Sequence, residues 1–127
     1  MKALTRYAAV LSVVLPMATM AVAEPSPTTV REIDQLMTAL GTSRCEFQRN
    51  GHWHDSAQAQ AHLRKKYAWL RKRDMVDNAE QFIELAGSKS SLSGRAYQVR
   101  CPGQPVMASA AWLRSRLAEL RRTAPSR

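Results

Sequence analysis

The stretch Arg44-Cys45-Glu46-Phe47-Gln48-Arg49-Asn50-Gly51-His52-Trp53-His54 separates a mixed fold from an all-helical one. Cys45, Phe47 and Arg49 alternate with Glu46 and Gln48, the period of a strand with one face toward a core. Asn50-Gly51 supplies the positive φ angles that a two-residue type I′ turn requires, and Trp53 returns on the far side. The reading is a short β-hairpin.

A second hairpin lies near the C-terminus. Tyr97, Val99 and Cys101 alternate with Gln98 and Arg100, Pro102-Gly103 turns the chain, and Val106-Met107 offers a brief return strand. Helices fill the intervals. Val30, Ile33, Leu36, Met37 and Leu40 form one apolar stripe, with Thr29 and Glu32 as a capping box and Gly41 as the stop. A second helix starts at Asp55 or Ser56 and runs to about Arg73, with Ala59, Leu63, Tyr67 and Leu70 toward the core. Arg64, Lys65, Arg71 and Lys72 occupy its wet arc, and His62, Lys66, Trp69 and Arg73 flank the buried one. Asp77 and Glu80 open a third helix that Gly87 ends, and Ser88 to Gly94 is a serine-rich loop. Ser109 caps a last helix containing Trp112, Leu113, Leu117 and Leu120. Helix, hairpin, two helices, hairpin, helix is the order of an α+β domain, with about four helices on a small antiparallel sheet.

The N-terminus gives a compartment. Lys2 and Arg6 precede the apolar run Tyr7 to Leu15, Pro16 breaks it, and Ala21-Val22-Ala23 supplies the small residues of a signal-peptidase site. Residues 1–23 therefore read as a signal peptide, too short to serve as a membrane anchor. Residues 24–28 read as an extended lead-in, 29–122 as one domain and 123–127 as a frayed tail. Removing 23 of 127 residues leaves 104. In an oxidising compartment Cys45 and Cys101 are an even pair and the expectation is one disulfide, worth about 4 kcal/mol for so long a loop. It would place the two hairpins side by side. Cys-x-x-Cys is absent, which argues against a thioredoxin-like redox centre, and no metal-ligand spacing or cofactor motif is present.

Charge narrows the partners. The chain has 19 basic and 10 acidic residues; losing Lys2 and Arg6 leaves 17 against 10, a formal +7. Such a surplus favours an anionic envelope component or an acidic periplasmic protein. Nucleic acid fits the charge but not the compartment. A monomer is expected.

Phe47-Gln48-Arg49-Asn50-Gly51, Ala61-His62-Leu63 with Lys66, Ala79-Glu80-Gln81-Phe82-Ile83, and Ser90-Ser91-Leu92-Ser93-Gly94 through Tyr97 resemble the YfeK-like family. These are small periplasmic proteins of Gram-negative bacteria of unknown function. The resemblance covers nearly all of the chain beyond residue 23 and implies one domain in the periplasm. It implies no catalytic residue, cofactor or partner.

Arg49 is the residue of its turn that turn geometry does not require, and its guanidinium can fork onto a carboxylate or phosphate. Glu80 is one such carboxylate within the chain, or a helix cap. His62, with Lys66 and Arg73, joins positive charge to the flank of the second helix. Ser88, Ser90 and Ser91, followed by Gly94, suit an anion-cradling nest, and Tyr97 follows them. The expectation is a non-catalytic binding or accessory module that holds an anion with these residues. A Ser/His/Glu hydrolase and an inhibitor presenting the Trp53 hairpin are the alternatives.

Overall fold

The computed structural model describes residues 3–5, 8–18 and 24–125, and within them the Asn50-Gly51 turn folds as its chemistry requires. Asn50 and Gly51 take φ of 50° and 83°, and Arg49 pairs with His52 across them. β1 (Glu46–Arg49) and β2 (His52–His54) make the hairpin. β3 (Gln98–Arg100) and β4 (Met107–Ala108) make the second antiparallel pair. β1 also pairs antiparallel with β3, Glu46 opposite Arg100 and Phe47 opposite Val99, so the hairpins merge into one sheet of order β2-β1-β3-β4.

The Cys45–Cys101 disulfide sits one residue beyond the Glu46–Arg100 pair and ties the two central strands at that end. Arg100 reinforces it from outside. Its guanidinium forks onto the Glu46 carboxylate with two bonds of 3.1 Å and covers the Trp53 ring at 4.0 Å.

The helices depart from expectation at their ends. α1 (Pro27–Gly41) begins before Thr29, because Ser26 caps it and Pro27 fills a first-turn position that needs no N–H partner. Glu32 completes no capping box; its carboxylate bonds Arg121 instead. α2 (Ser56–Arg71) opens on a box made by Asp55 and Gln58. α3 (Ala79–Phe82) is capped by Asn78 rather than Asp77, then widens into a π-helical turn, Ile83–Gly87. A Cβ on Gly87 would stand 2.4 Å from Leu113 Cδ1, so the missing side chain allows that turn to lie on α4 (Ser109–Thr123). Ser109 is the first residue of α4 and not its cap; its N–H is taken by the Tyr97 carbonyl at 2.9 Å.

Ile33, Leu36 and Leu40 of α1, Leu63 and Leu70 of α2 and Leu113 of α4 are buried in one core. Phe47 and Val99 bring the sheet into it, Phe47 meeting Trp112 edge-to-face at 5.6 Å. The result is an α+β domain. Outside it, residues 8–18 carry no helix or strand, and Val10, Leu11 and Leu15 are exposed. Lys2, Arg6, Tyr7, the motif Ala21-Val22-Ala23 and the end of the tail lie outside the described residues. Among the described residues no helix is long and apolar enough to cross a membrane.

Candidate functional site

Pairing of β1 with β3, with α2 packed against β1, brings four side chains together that are far apart in the chain. Arg49 ends β1, His62 and Lys66 stand one turn apart on α2, and Tyr97 precedes β3. Arg49 donates to His62 Nδ1. Guanidinium has no acceptor, so Nδ1 must be the unprotonated nitrogen and the ring proton sits on Nε2. Nε2 then donates to Tyr97 Oη at 3.1 Å, the two rings meeting edge-to-face at 5.9 Å. Lys66 Nζ donates to the same oxygen at 3.2 Å and to the Lys89 carbonyl at 3.1 Å. Tyr97 Oη thus accepts twice, and its own proton is left as a donor.

Arg49, His62 and Tyr97 border a cleft of ≈ 390 Å³ between the first hairpin and α2; Lys66 reaches it only through its bond to Tyr97. Leu40, Phe47, Ala59 and Leu63 make its apolar floor; Arg49, His54, Lys65 and Tyr97 stand at its polar side. Lys65, read from the sequence as merely solvated, borders it as well. No acidic residue lines it among the described residues.

The electrostatics follow from that composition. Burial, then the Arg49 and Lys66 charges, push His62 down to about 4. Lys66 is lowered by burial and by Arg49, and burial raises Tyr97 against the pull of Arg49. His62 is therefore a neutral imidazole at pH 7. Its sign is testable. The unfolded chain takes up a proton near 6.5 and the folded one only near 4, so between these values the unfolded state holds more protons. The contribution of His62 to stability is full above 6.5 and is lost as pH falls toward 4. Urea midpoints of the parent should drop more between pH 7.5 and 4.5 than those of His62→Asn; equal drops would contradict the assignment.

The remaining sequence candidates lie elsewhere or are otherwise engaged. Arg73 folds back on α2, its guanidinium 3.8 Å from the Trp69 ring and bonded to the Trp69 carbonyl at 2.9 Å. Glu80 joins Glu32 in holding Arg121, which keeps its carboxyl below the usual range. Ser88 Oγ donates to the Ile83 carbonyl at 2.8 Å. Ser90 is buried, and its hydroxyl accepts from the Leu92 and Ser93 N–H groups, each at 3.3 Å. Gly94 N–H bonds the Ser90 carbonyl at 2.9 Å, and Arg95 N–H bonds Ser93 Oγ at 3.2 Å. The N–H groups that a nest would offer an anion are thus used inside the loop. Ser91 is exposed. Both His62 nitrogens are occupied by Arg49 and Tyr97, and no serine bonds to that ring among the described residues.

The serine loop has a different place in the architecture. Asn50 Nδ2 donates to Ser90 Oγ at 3.3 Å, and Ser93 Oγ donates to Asn50 Oδ1 at 2.6 Å. The loop clasps the tip of the first hairpin and so holds Arg49 beside His62. The Asn50 turn motif was legible; its partner across 43 residues was not.

Residues 27–121 match the Family of unknown function (DUF5329). Over 66 residues the chain is 39% identical to the Uncharacterized protein YfeK of Salmonella typhimurium, which takes in 51% of this chain and 53% of that protein. The matched region thus spans about half the length of that relative. No solved structure matches.

Proposed function

The chain belongs to the DUF5329 family, a YfeK-like family of uncharacterised proteins in Gram-negative bacteria, and from its cleft we infer a secreted, non-catalytic module that binds an anionic group. One observation carries this reading: among the described residues, the polar side of the cleft offers donors and positive charge with no carboxylate to balance them. Arg49 gives one N–H to a neutral ring and retains four others. Lys65 is the second cation at that side, and Tyr97 has its phenolic proton to give. A group that matches such a set accepts only, as carboxylate, phosphate and sulfate do. His62, held neutral, orients Arg49 and Tyr97 without adding a third full charge.

The leader-like residues 1–23 and the Cys45–Cys101 disulfide support the periplasm as the place of action. The anion would then be an envelope component or an acidic group on a periplasmic protein.

Inorganic phosphate is the direct probe. Millimolar phosphate should raise the melting temperature above that in sodium chloride of equal ionic strength, because it binds the folded state alone. Arg49→Ala should weaken the apparent phosphate affinity about tenfold or more, the range of a charge-assisted hydrogen bond. Arg114→Ala, which breaks only the exposed 3.3 Å contact with Glu84, should leave it unchanged. A phosphate effect no larger than that of chloride, or one retained in full by Arg49→Ala, would refute the reading.

A further inference from the structure

A second charged surface lies outside the cleft. From Ser56 to Arg73 the chain contains no Asp or Glu, while Arg64, Lys65, Arg71, Lys72 and Arg73 are all exposed. Arg64, Ala68, Arg71 and Lys72 follow each other at i, i+4, i+7 and i+8, one line along the outer side of α2. Lys65 and Trp69 form the adjacent line. None of these cations takes part in a salt bridge among the described residues, although Arg100, Arg114, Arg116 and Arg121 all do. Asp74 closes the run at its C-terminal end.

Charge alone describes many solvated helices, but this strip also carries apolar surface. Trp69 is 52% exposed, and Met75, just beyond the helix, is 41% exposed. An indole beside unpaired cations is the composition of a segment that lies at a membrane interface: the ring enters the headgroup layer while the cations meet lipid phosphates. Arg73, stacked on Trp69, is placed to hold a phosphate next to the ring. Ala68, the small exposed residue between Arg64 and Arg71, lets the strip approach a flat surface closely.

We propose that the outer strip of α2 docks this protein on an anionic phospholipid bilayer. The proposal goes beyond anion binding in the cleft and does not depend on it: Lys65 borders both surfaces, but Arg64, Trp69, Arg71, Lys72 and Arg73 do not line the cleft.

Sedimentation of the full chain, recovered from a soluble fraction, with vesicles tests it. Vesicles of phosphatidylglycerol and phosphatidylethanolamine should retain the protein at low salt and release it at high salt. Phosphatidylcholine vesicles give the background, including any contribution of apolar residues 8–15. Each basic residue near such a surface is worth about fivefold in affinity, so Arg64→Gln/Arg71→Gln/Lys72→Gln should weaken binding about a hundredfold. Trp69→Ala should weaken it about tenfold, while Arg49→Ala should leave it intact. All these side chains are exposed or half-buried, and an unchanged circular dichroism spectrum verifies each fold. Equal retention on neutral and anionic vesicles, or full binding by the triple variant, would overturn the proposal. So would capture of soluble polyphosphate without any vesicle association. Loss of vesicle binding in Arg49→Ala would place the lipid contact in the cleft and overturn it too.

Discussion

The Cys45→Ala/Cys101→Ala variant should melt about 15–30 °C below the parent. Sequence separation across the bridge is 56, and closing a loop of that length removes denatured-chain entropy worth about 4 kcal/mol. For a domain of this size each kcal/mol corresponds to about 4–8 °C. The bridge also joins the two central strands at the edge of the core, so its loss frees the one covalent tie between β1 and β3. Thermal melts with and without reductant check the effect. Reductant should lower the parent toward the variant and leave the variant unmoved; a parent indifferent to complete reduction would contradict it.

Phe82→Ala is expected to cost about 3–5 kcal/mol, the range for removing a buried aromatic ring. Phe82 has no exposed surface and meets Tyr67 edge-to-face at 5.5 Å. Its helix has only four residues before the π-helical turn, too few to hold themselves by local hydrogen bonding. The segment is therefore kept in place by what Phe82, Ile83 and Ala86 bury. Leu92→Ala, at a side chain almost wholly exposed in the serine loop, serves as control and should change stability by less than about 0.5 kcal/mol. Denaturant midpoints compare the two, and a Phe82→Ala loss as small as that of Leu92→Ala would show the core to be elsewhere.

The parts of the fold legible in the sequence are those fixed by local chemistry. Asn50-Gly51 specifies its turn, the stripe from Ile33 to Leu40 specifies α1, and alternation around Val99 specifies β3. Helix ends were less legible because several residues could serve. Ser26, Thr29, Asp77 and Asn78 are all competent caps, and Pro27 and tertiary contacts made the choice. The pairing of the hairpins was visible only through the two cysteines, because strand period does not say which strand is neighbour to which.

The candidate site divides in the same way. Arg49, His62, Lys66 and Tyr97 stand out in the sequence by type, and the structure brings them into one hydrogen-bonded set. Glu80 and Arg73 are of the same types but have other partners, Arg121 and Trp69. A carboxylate's charge is written in the sequence; the arginine it meets is set by how α1, α3 and α4 come together. The serine loop shows the converse. Its N–H groups looked free only because the chain reads linearly, while Ser90 turns its own hydroxyl back onto them.

The order of strands in the sheet also has a consequence in time. Glu46 and Arg100 face each other across 54 positions of chain. As synthesis proceeds from the N-terminus, α1, the first hairpin and α2 exist well before their neighbour β3. During that interval β1 has a bare edge and Cys45 has no mate, the condition in which a foreign strand or a stray thiol is most easily captured. The growing polypeptide is thus most vulnerable in its middle age, and arrival of the last thirty residues ends the exposure.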